Sequence, residues 1–131
     1  MDDAPIDEIT VDAFDRVLAV NLRGMVMTCK HALRLMVKQQ QGVIVNVGSI
    51  AGRNVHPTVA YKTSKAGVSA LTQHIAVKYA KLGIRANCIV PGYINQRPPR
   101  DEQEAEIRRN RGIRVPIRRL GDYWELGPLA L

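Results

Sequence analysis

A serine, a tyrosine and a lysine that could act together lie in the middle of the chain, within the stretch 43–65. Tyr61 precedes Lys65 by four residues, so on a helix both side chains share one face, with their Cβ atoms about 5 to 6 Å apart. Ser49 follows a short β-branched run, where a strand of a parallel sheet would end. This combination suits proton transfer to or from a carbonyl or alcohol oxygen.

Each of the three residues has a chemical role in such a transfer. A free tyrosine has a pKa of about 10, so a phenol that acts near neutrality needs a neighbour that favours its phenolate. Lys65 would be that neighbour, Tyr61 would exchange the proton and Ser49 would hold the reacting oxygen. A tyrosine and a lysine at this spacing also arise by chance in a chain with four tyrosines. The strand and the glycine before Ser49 strengthen the prediction.

Two strands are expected to carry this site. Residues 43–47 and 84–90 are the predicted strands, and the first is a run rich in valine and isoleucine, which predicts a strand buried on both faces of a parallel sheet. In open parallel sheets, ligands bind in the crevice at the carboxyl ends of the strands. Ser49 would lie at that end.

Two long helices are predicted to flank the strands. Apolar residues recur with a helical period from residue 11 to residue 36, which predicts one continuous helix closed by Gly42. A second helix is predicted to begin at Pro57 and to close at Gly83. Asn21 and Gly24 fit a helix interior poorly, since glycine costs about 1 kcal/mol relative to alanine there. They predict a kink, a close helix contact or a functional role.

Taken in order, these residues resemble the short-chain dehydrogenase/reductase family. The family has a helix asparagine, a strand that ends in serine, a Tyr-x-x-x-Lys helix and a strand that ends in Pro-Gly. Their counterparts here are Asn21, Ser49, Tyr61, Lys65, Pro91 and Gly92. The resemblance implies an α/β fold, a partial Rossmann-like doubly wound parallel sheet with two strands and long helices of a larger three-layer domain.

The resemblance also implies a reaction and its cofactor. The full-length enzyme would transfer a hydride between NAD or NADP and a small carbonyl compound or secondary alcohol. Lys65 would also hold the nicotinamide ribose, together with Tyr61, and the backbone carbonyl of Asn21 would order a water that links Lys65 to solvent. The Pro91-Gly92 corner and Ile94 would meet the nicotinamide carboxamide. Gln96 stands where the family usually has a threonine, so that contact differs here.

The resemblance covers nearly the whole chain but only part of the family's domain. Residues 1–131 are expected to form a partial dinucleotide-binding oxidoreductase domain, with the substrate lid at residues 96–120. Family members usually run to about twice this length, and the glycine-rich phosphate-binding turn is not in the sequence. An inner fragment that is inactive by itself is therefore expected. Because the two long helices form the subunit interface in relatives, the full-length form is expected to be a homo-oligomer.

The charge distribution keeps two other function classes open. The net charge is +7, with six acids and no base in residues 1–15, and eleven bases and no acid in residues 16–95. A basic face can bind nucleic acid, but aromatic residues are only 5% and none is interleaved with the arginines, so a solvated face is favoured. The lid arginines could bind a substrate carboxylate or a carrier phosphate, or could simply be solvated. A non-catalytic interaction fragment that keeps the interface helices is the third class.

The remaining features concern cell compartment, membranes and metals. Two cysteines make no disulfide framework and favour a reducing compartment. The amino terminus is acidic where a signal peptide would be basic, and no apolar run approaches 18 residues, so a cytoplasmic protein without a membrane segment is expected. The three histidines do not have metal-ligand spacing, so no metal site is predicted. His56 could touch the substrate, although a solvent-exposed position is favoured.

Overall fold

The computed structural model describes residues 2–95 and 97–130. They form two compact units, Met1–Val90 and Pro91–Leu131. The elements of the first unit are, in chain order, α1 (Val11–Leu18), a π-helical turn (Ala19–Arg23), α2 (Gly24–Gln39), β1 (Gly42–Val47), a 3₁₀ turn (Ile50–Gly52), α3 (Val59–Tyr79), a second 3₁₀ turn (Ala80–Leu82) and β2 (Ile84–Ile89).

Strands β1 and β2 pair in parallel, with Gly42 opposite Ile84 and Val47 opposite Ile89. The parallel α/β architecture expected from the sequence is therefore confirmed. The core lies between the helices and one face of this sheet, where Ile44 and Ile84 are buried. Residues of both long helices complete it, among them Cys29, Leu33 and Ile75.

The prediction that β1 is buried on both faces is wrong. Its residues alternate between buried and exposed, and Val43, Val45 and Val47 keep 50%, 37% and 47% of their surface accessible. The reason is that α2 and α3 both pack on the face that carries Ile44, while the valines point to the other face. Alternation of this kind follows from the period-2 geometry of a strand.

The long helix predicted from the apolar period is present, but its hydrogen bonding changes in the middle. Ala19–Arg23 forms a π-helical turn between α1 and α2, and backbone torsions stay helical on both sides of it. Such turns occur as single insertions in α-helices and are frequent at functional sites. Asn21, one of the two residues that fit a helix interior poorly, lies within this π turn.

Two helix boundaries differ from those predicted. Helix α2 ends at Gln39 and its cap is Gln40, which adopts the left-handed conformation with φ of 53°, whereas Gly42, the predicted cap, already belongs to β1. A Cβ atom at Gly42 would lie 2.5 Å from the Met36 side chain, so the glycine serves close packing there. Helix α3 begins after Thr58, whose extended backbone keeps Pro57 outside the helix. The predicted closure at Gly83, with φ of 67°, is confirmed.

The second unit contains two very short strands and one α-helix. Its elements are β3 (Ile94–Asn95), α4 (Glu102–Ile113), β4 (Gly121–Asp122) and a 3₁₀ helix (Tyr123–Ala130). The sequence predicts a short exposed helix in the lid, and α4 is that helix, capped by the Asp101 side chain, which accepts from the Glu104 amide at 2.7 Å. The parallel pairing of β3 with β4 is not predicted, because two-residue strands carry no periodic signal.

Candidate active site

The site is built around the first turns of α3, which carry Tyr61 and Lys65. Their spacing of four residues places the Lys65 ammonium 5.7 Å from the centre of the Tyr61 ring, as the sequence predicts. The same ammonium donates to the Val47 carbonyl oxygen at 3.1 Å. Lys65 therefore links the carboxyl end of β1 to the face of the tyrosine.

Ser49 lies just beyond the end of β1, at the start of the Ile50–Gly52 turn. Its backbone is extended, and its Oγ accepts from the Ala51 amide at 3.2 Å. This turn packs directly on α3, because a Cβ atom at Gly52 would lie 2.7 Å from the Ala66 nitrogen and 2.8 Å from the Lys65 carbonyl carbon. The glycine thus brings the serine turn against the helix at the level of Lys65.

Asn21 is connected to the same helix through a buried serine. Its Nδ2 donates to the Ser64 Oγ at 3.3 Å, and the Ser64 hydroxyl donates to the Tyr61 carbonyl oxygen at 2.7 Å. Ser64 is completely buried. The side chain of Asn21 therefore contacts the helix turn between Tyr61 and Lys65, which the sequence does not reveal. The role expected for its backbone carbonyl stays a prediction.

His56 also belongs to the surroundings of Tyr61, although the sequence favours a solvent-exposed side chain. The histidine is half-buried, and the centre of its ring lies 5.4 Å from that of Tyr61, with a tilt of 40°. Its Nδ1 is 3.3 Å from the Thr58 amide nitrogen, which orients the ring. The expectation of exposure is wrong because the loop folds back over the start of α3.

A lysine one residue after the tyrosine secures this loop. The Lys62 ammonium donates to the Asn54 carbonyl oxygen at 2.5 Å and lies 3.4 Å from that of Ala51. The loop after Ser49 therefore contacts α3 through the Lys62 hydrogen bonds as well as through the packing at Gly52. Lys62 is the first variable position of the Tyr-x-x-x-Lys motif, and no sequence rule distinguishes it from an ordinary surface lysine.

The sequence also does not predict a role for Asp3. Its carboxylate accepts from the Ala60 amide at 3.0 Å and from the Tyr61 amide at 2.8 Å. Burial raises the pKa of Asp3, but hydrogen bonds from the Tyr61 amide, the Thr58 hydroxyl and the Ala60 amide lower it more, so the pKa lies below its ordinary value. Nothing in local patterning pairs residues that lie so far apart in the sequence.

The predicted cofactor contacts at the Pro-Gly corner fall in the second unit. Pro91 is half-buried and Gly92 is exposed. Ile94 lies in β3 opposite Gly121, whose amide donates to the Tyr93 carbonyl oxygen at 3.0 Å. Gln96 lies outside the described residues. The contact of Pro91, Gly92 and Ile94 with a nicotinamide stays a prediction.

Five of the eight arginines of the second unit line a cleft of about 610 Å³. Arg97 and Arg108 both bind Glu104, at 2.9 and 2.8 Å. The hydrogen bonds from Arg97, the Arg100 amide and Arg108 hold the pKa of the Glu104 carboxyl at about 2. Two further arginines of this unit pair with Glu102 and Glu125. Four of the eight arginines in the predicted lid are therefore paired with glutamates.

Residues 2–95 and 97–130 contain no group of three or more histidine, cysteine, aspartate or glutamate side chains that could hold a metal ion. Within the same residues, no helix is both long and apolar enough to span a membrane.

Known proteins resemble the chain in sequence. It is 42% identical over 118 residues to cis-4-hydroxycyclohexanecarboxylate dehydrogenase from Sinomonas cyclohexanicum, covering 89% of this chain and 47% of that protein. It is 36% identical over 115 residues to 3-oxoacyl-[acyl-carrier-protein] reductase from Bos taurus, covering 87% of this chain and 47% of the reductase. The chain thus spans about half the length of these curated relatives.

Solved structures match the fold as well. The crystal structure of NAD⁺-bound xylitol dehydrogenase has a TM-score of 0.86 and 30% identity, covering 99% of this chain and 57% of that one. Gluconate 5-dehydrogenase from Burkholderia cenocepacia J2315, in complex with NADP and tartrate, has a TM-score of 0.85 and 28% identity, covering 98% and 51%. The short chain dehydrogenase family model matches residues 1–106. With this match and the serine, tyrosine and lysine around α3, the chain belongs to the short-chain dehydrogenase family.

Proposed function

We propose that these residues supply the catalytic part of an NAD- or NADP-dependent oxidoreductase that interconverts a carbonyl compound and a secondary alcohol. The observation that carries the proposal is the position of the Lys65 ammonium, between the Tyr61 ring and the Val47 carbonyl at the end of β1. This cation lies beside the phenol that is proposed to exchange a proton with a bound oxygen.

Ser49 is proposed to bind the reacting oxygen. Its Oγ already accepts a hydrogen bond from the Ala51 amide, so its O–H can still donate to a substrate. Asn21 and Ser64 are proposed to support the helix turn that carries Tyr61, and the water relay through the Asn21 carbonyl remains part of the proposal. When bound, the nicotinamide supplies the hydride, and the protein orients the reacting groups.

Lys65 and Tyr61 are proposed to hold the nicotinamide ribose of the cofactor. The Lys65 ammonium lies at the end of β1 and beside the Tyr61 ring, and ribose hydroxyls are suitable partners for an ammonium and a phenol. Pro91, Gly92 and Ile94 are proposed to meet the carboxamide. The sequence contains no glycine-rich turn of the kind that holds a pyrophosphate, so these 131 residues are proposed to have no activity alone.

The experiment uses a chimera in which a relative supplies the rest of the enzyme, called the completed enzyme below. Residues 1–131 replace the matching segment of the Sinomonas dehydrogenase, and oxidation of cis-4-hydroxycyclohexanecarboxylate is followed by reduced-nicotinamide absorbance. Tyr61→Phe should lower turnover by at least about a hundredfold if the hydroxyl is the general acid or base. Tyr79→Phe, on the last turn of α3, is the matched control. Unchanged turnover in the Tyr61 variant would refute the assignment.

The substrate class is proposed from the relatives. Cis-4-hydroxycyclohexanecarboxylate dehydrogenase is named for a hydroxy carboxylate, and 3-oxoacyl-[acyl-carrier-protein] reductase is named for an oxoacyl group on a carrier protein. A small carbonyl or alcohol substrate is therefore proposed here. Arginines of the 96–120 segment could contact a carboxylate or phosphate on it.

A second candidate function, binding between subunits, is favoured by the surfaces of the long helices. Val20, Leu35 and Val77 are exposed by 68%, 63% and 82%. A cleft of about 620 Å³ between α2 and α3 is lined largely by apolar side chains, among them Val26, Leu33, Val37, Leu71 and Ile75. We propose that the full-length form is a homo-oligomer that uses these helices, and that the fragment alone could pair with an intact relative.

The oligomer proposal is tested by mass measurement in solution. Leu35→Glu in the completed enzyme should shift the particle to a smaller mass by light scattering, because burial of a charge in an apolar contact is unfavourable. Ile6→Glu changes an exposed apolar residue of the amino-terminal segment and serves as the control. An unchanged mass for both variants would argue against these helices as the interface. A cytoplasmic location is also proposed, supported by two cysteines that remain unbonded.

A further inference from the structure

The start of α3 is capped by a segment that lies far away in the sequence. Thr58, the residue at the ordinary cap position, makes no side-chain cap hydrogen bond. The Val59 amide donates instead to the Ala4 carbonyl oxygen at 3.1 Å. The next two amides, of Ala60 and Tyr61, donate to the two carboxylate oxygens of Asp3 at 3.0 and 2.8 Å.

These contacts satisfy the groups that a helix start leaves without partners. The first amides of an α-helix have no carbonyl of their own helix to bind, and their partial positive charge attracts an anion. Asp3 uses one oxygen for each of two successive amides, and such charge-assisted bonds are stronger than neutral ones. The carboxylate is half-buried, so water competes with it less than at an open surface.

One of the two amides that Asp3 binds is that of Tyr61, the residue that is proposed to exchange the proton. A shift of the first turn of α3 would move Tyr61 relative to Lys65, one turn later, and relative to the Ser49 turn that packs on the helix at Gly52. We propose that Asp3 is a positioning residue for Tyr61, a remote cap that sets where the helix starts and thereby where the phenol points. The importance of Asp3 for catalysis rests on the proposed function, whereas its hydrogen bonds to the start of α3 do not depend on that function.

A merely structural cap would stabilise α3 without affecting the reaction, so two measurements are needed. The first uses the 131-residue chain and amide hydrogen exchange at Ala60 and Tyr61. Asp3→Ala should reduce protection at both amides by at least about tenfold, since their partner is lost. Asp2→Asn is a matched control, because it removes the same charge one residue earlier from an exposed pair with Arg16 at 3.3 Å.

Asp3→Asn and Asp3→Glu make this measurement independent of whether the alanine variant folds. The asparagine keeps one acceptor oxygen and should preserve protection at only one of the two amides, because its nitrogen cannot accept. The glutamate keeps both oxygens and should restore protection in part. Full protection at Ala60 and Tyr61 in either folded Asp3→Ala or Asp3→Asn would overturn the cap.

The second measurement separates positioning from stability. In the enzyme completed with the Sinomonas half, Asp3→Ala should lower kcat per folded active site at least about tenfold, with the cofactor KM within about twofold, because misplacement of a reacting group is costly. Asp3→Glu should recover part of the loss, and Asp2→Asn should match the unmodified chimera. An unchanged kcat for a folded Asp3→Ala variant would overturn the positioning role. If Tyr61→Phe is also fully active, the proposed function fails, while the exchange result still decides the cap.

Discussion

Lys65 holds its ammonium 5.7 Å from the centre of the Tyr61 ring and bonds the Val47 carbonyl at the end of β1 at 3.1 Å. One side chain thus connects the strand end, where ligands bind in parallel sheets, to the helix that carries the phenol. The contact depends on a charged group at the end of a flexible stem, so a neutral side chain of similar length should fill the space without its electrostatic effect.

Replacement of this ammonium should therefore reduce catalysis much more than stability. Lys65→Met in the completed enzyme is expected to lower turnover by at least about a hundredfold, because the reacting phenol loses its neighbouring cation. Lys78→Met makes the same change at an exposed position of α3 and should leave turnover close to that of the parent. Steady-state kinetics checks both variants, and equal turnover for the two would contradict the role of Lys65.

The buried link between Asn21 and α3 should be visible in the stability of the 131-residue chain. Ser64→Ala leaves the Tyr61 carbonyl and the Asn21 amide without their shared hydroxyl and should lower the free energy of unfolding by about 1 to 3 kcal/mol. Asn21→Ala should cost less, since this side chain is only half-buried. Urea unfolding of both single variants and the double variant gives the coupling, and full additivity would show that the hydrogen bond contributes nothing.

Two glycines should respond in opposite directions to the same substitution. Gly52→Ala places a Cβ atom 2.7 Å from the backbone nitrogen of Ala66, which must push the serine turn away from α3 and destabilise the chain by about 1 to 3 kcal/mol. Gly24→Ala places its Cβ 3.6 Å from the Ala19 carbonyl oxygen in a helical backbone, and should stabilise by about 0.4 to 1 kcal/mol. Urea midpoints that move in the same direction would show that the packing at Gly52 is looser than described.

The ion pairs of the second unit should titrate only in strong acid. The pKa of Glu104 is about 2 in the folded chain and 4.5 in the unfolded reference. Because the pKa of Glu104 is lower in the folded chain, its carboxylate contributes its full stabilisation above the unfolded pKa of 4.5. This stabilisation is lost as the pH falls through the folded pKa of about 2. The Glu104 carboxyl carbon, followed by NMR, should therefore titrate with a midpoint near 2.

The Arg100 amide offers a local readout of the same carboxylate, to which it donates at 2.9 Å. Glu104→Gln should increase the hydrogen exchange of this amide, because a charge-assisted bond becomes a neutral one. Glu102→Gln removes a neighbouring carboxylate that binds Arg109 and should leave Arg100 unaffected. A Glu104 midpoint above 4 would mean that the two arginines do not hold it in solution.

The 131-residue chain alone should not bind a nicotinamide cofactor tightly. Titration with NADH and NADPH, followed by the fluorescence of the reduced nicotinamide, is expected to show no saturation in the micromolar range, because the chain has no turn for the pyrophosphate. The completed enzyme is the positive control. Saturable micromolar binding by the folded chain would show that the nicotinamide end of the site is sufficient.

The sequence by itself determined the parts of the site that follow from local spacing. Tyr61 and Lys65 face each other because four residues make about one helical turn, and Ser49 follows β1 because an apolar β-branched run ends there. The Pro-Gly pair and Asn21 matched the family in the right order. The parallel pairing of the two strands was also predictable, since a helix connects them.

Only the tertiary structure decided which distant groups meet around this core. Asp3 reaches the amides of Ala60 and Tyr61, and Asn21 reaches Ser64, across 57, 58 and 43 residues of sequence. Periodicity describes neighbours along an element and contains no information about which loop folds onto which helix end. For the same reason, the sequence did not show that β1 keeps one apolar face exposed: that depends on where α2 and α3 pack, and both lie on the side of Ile44.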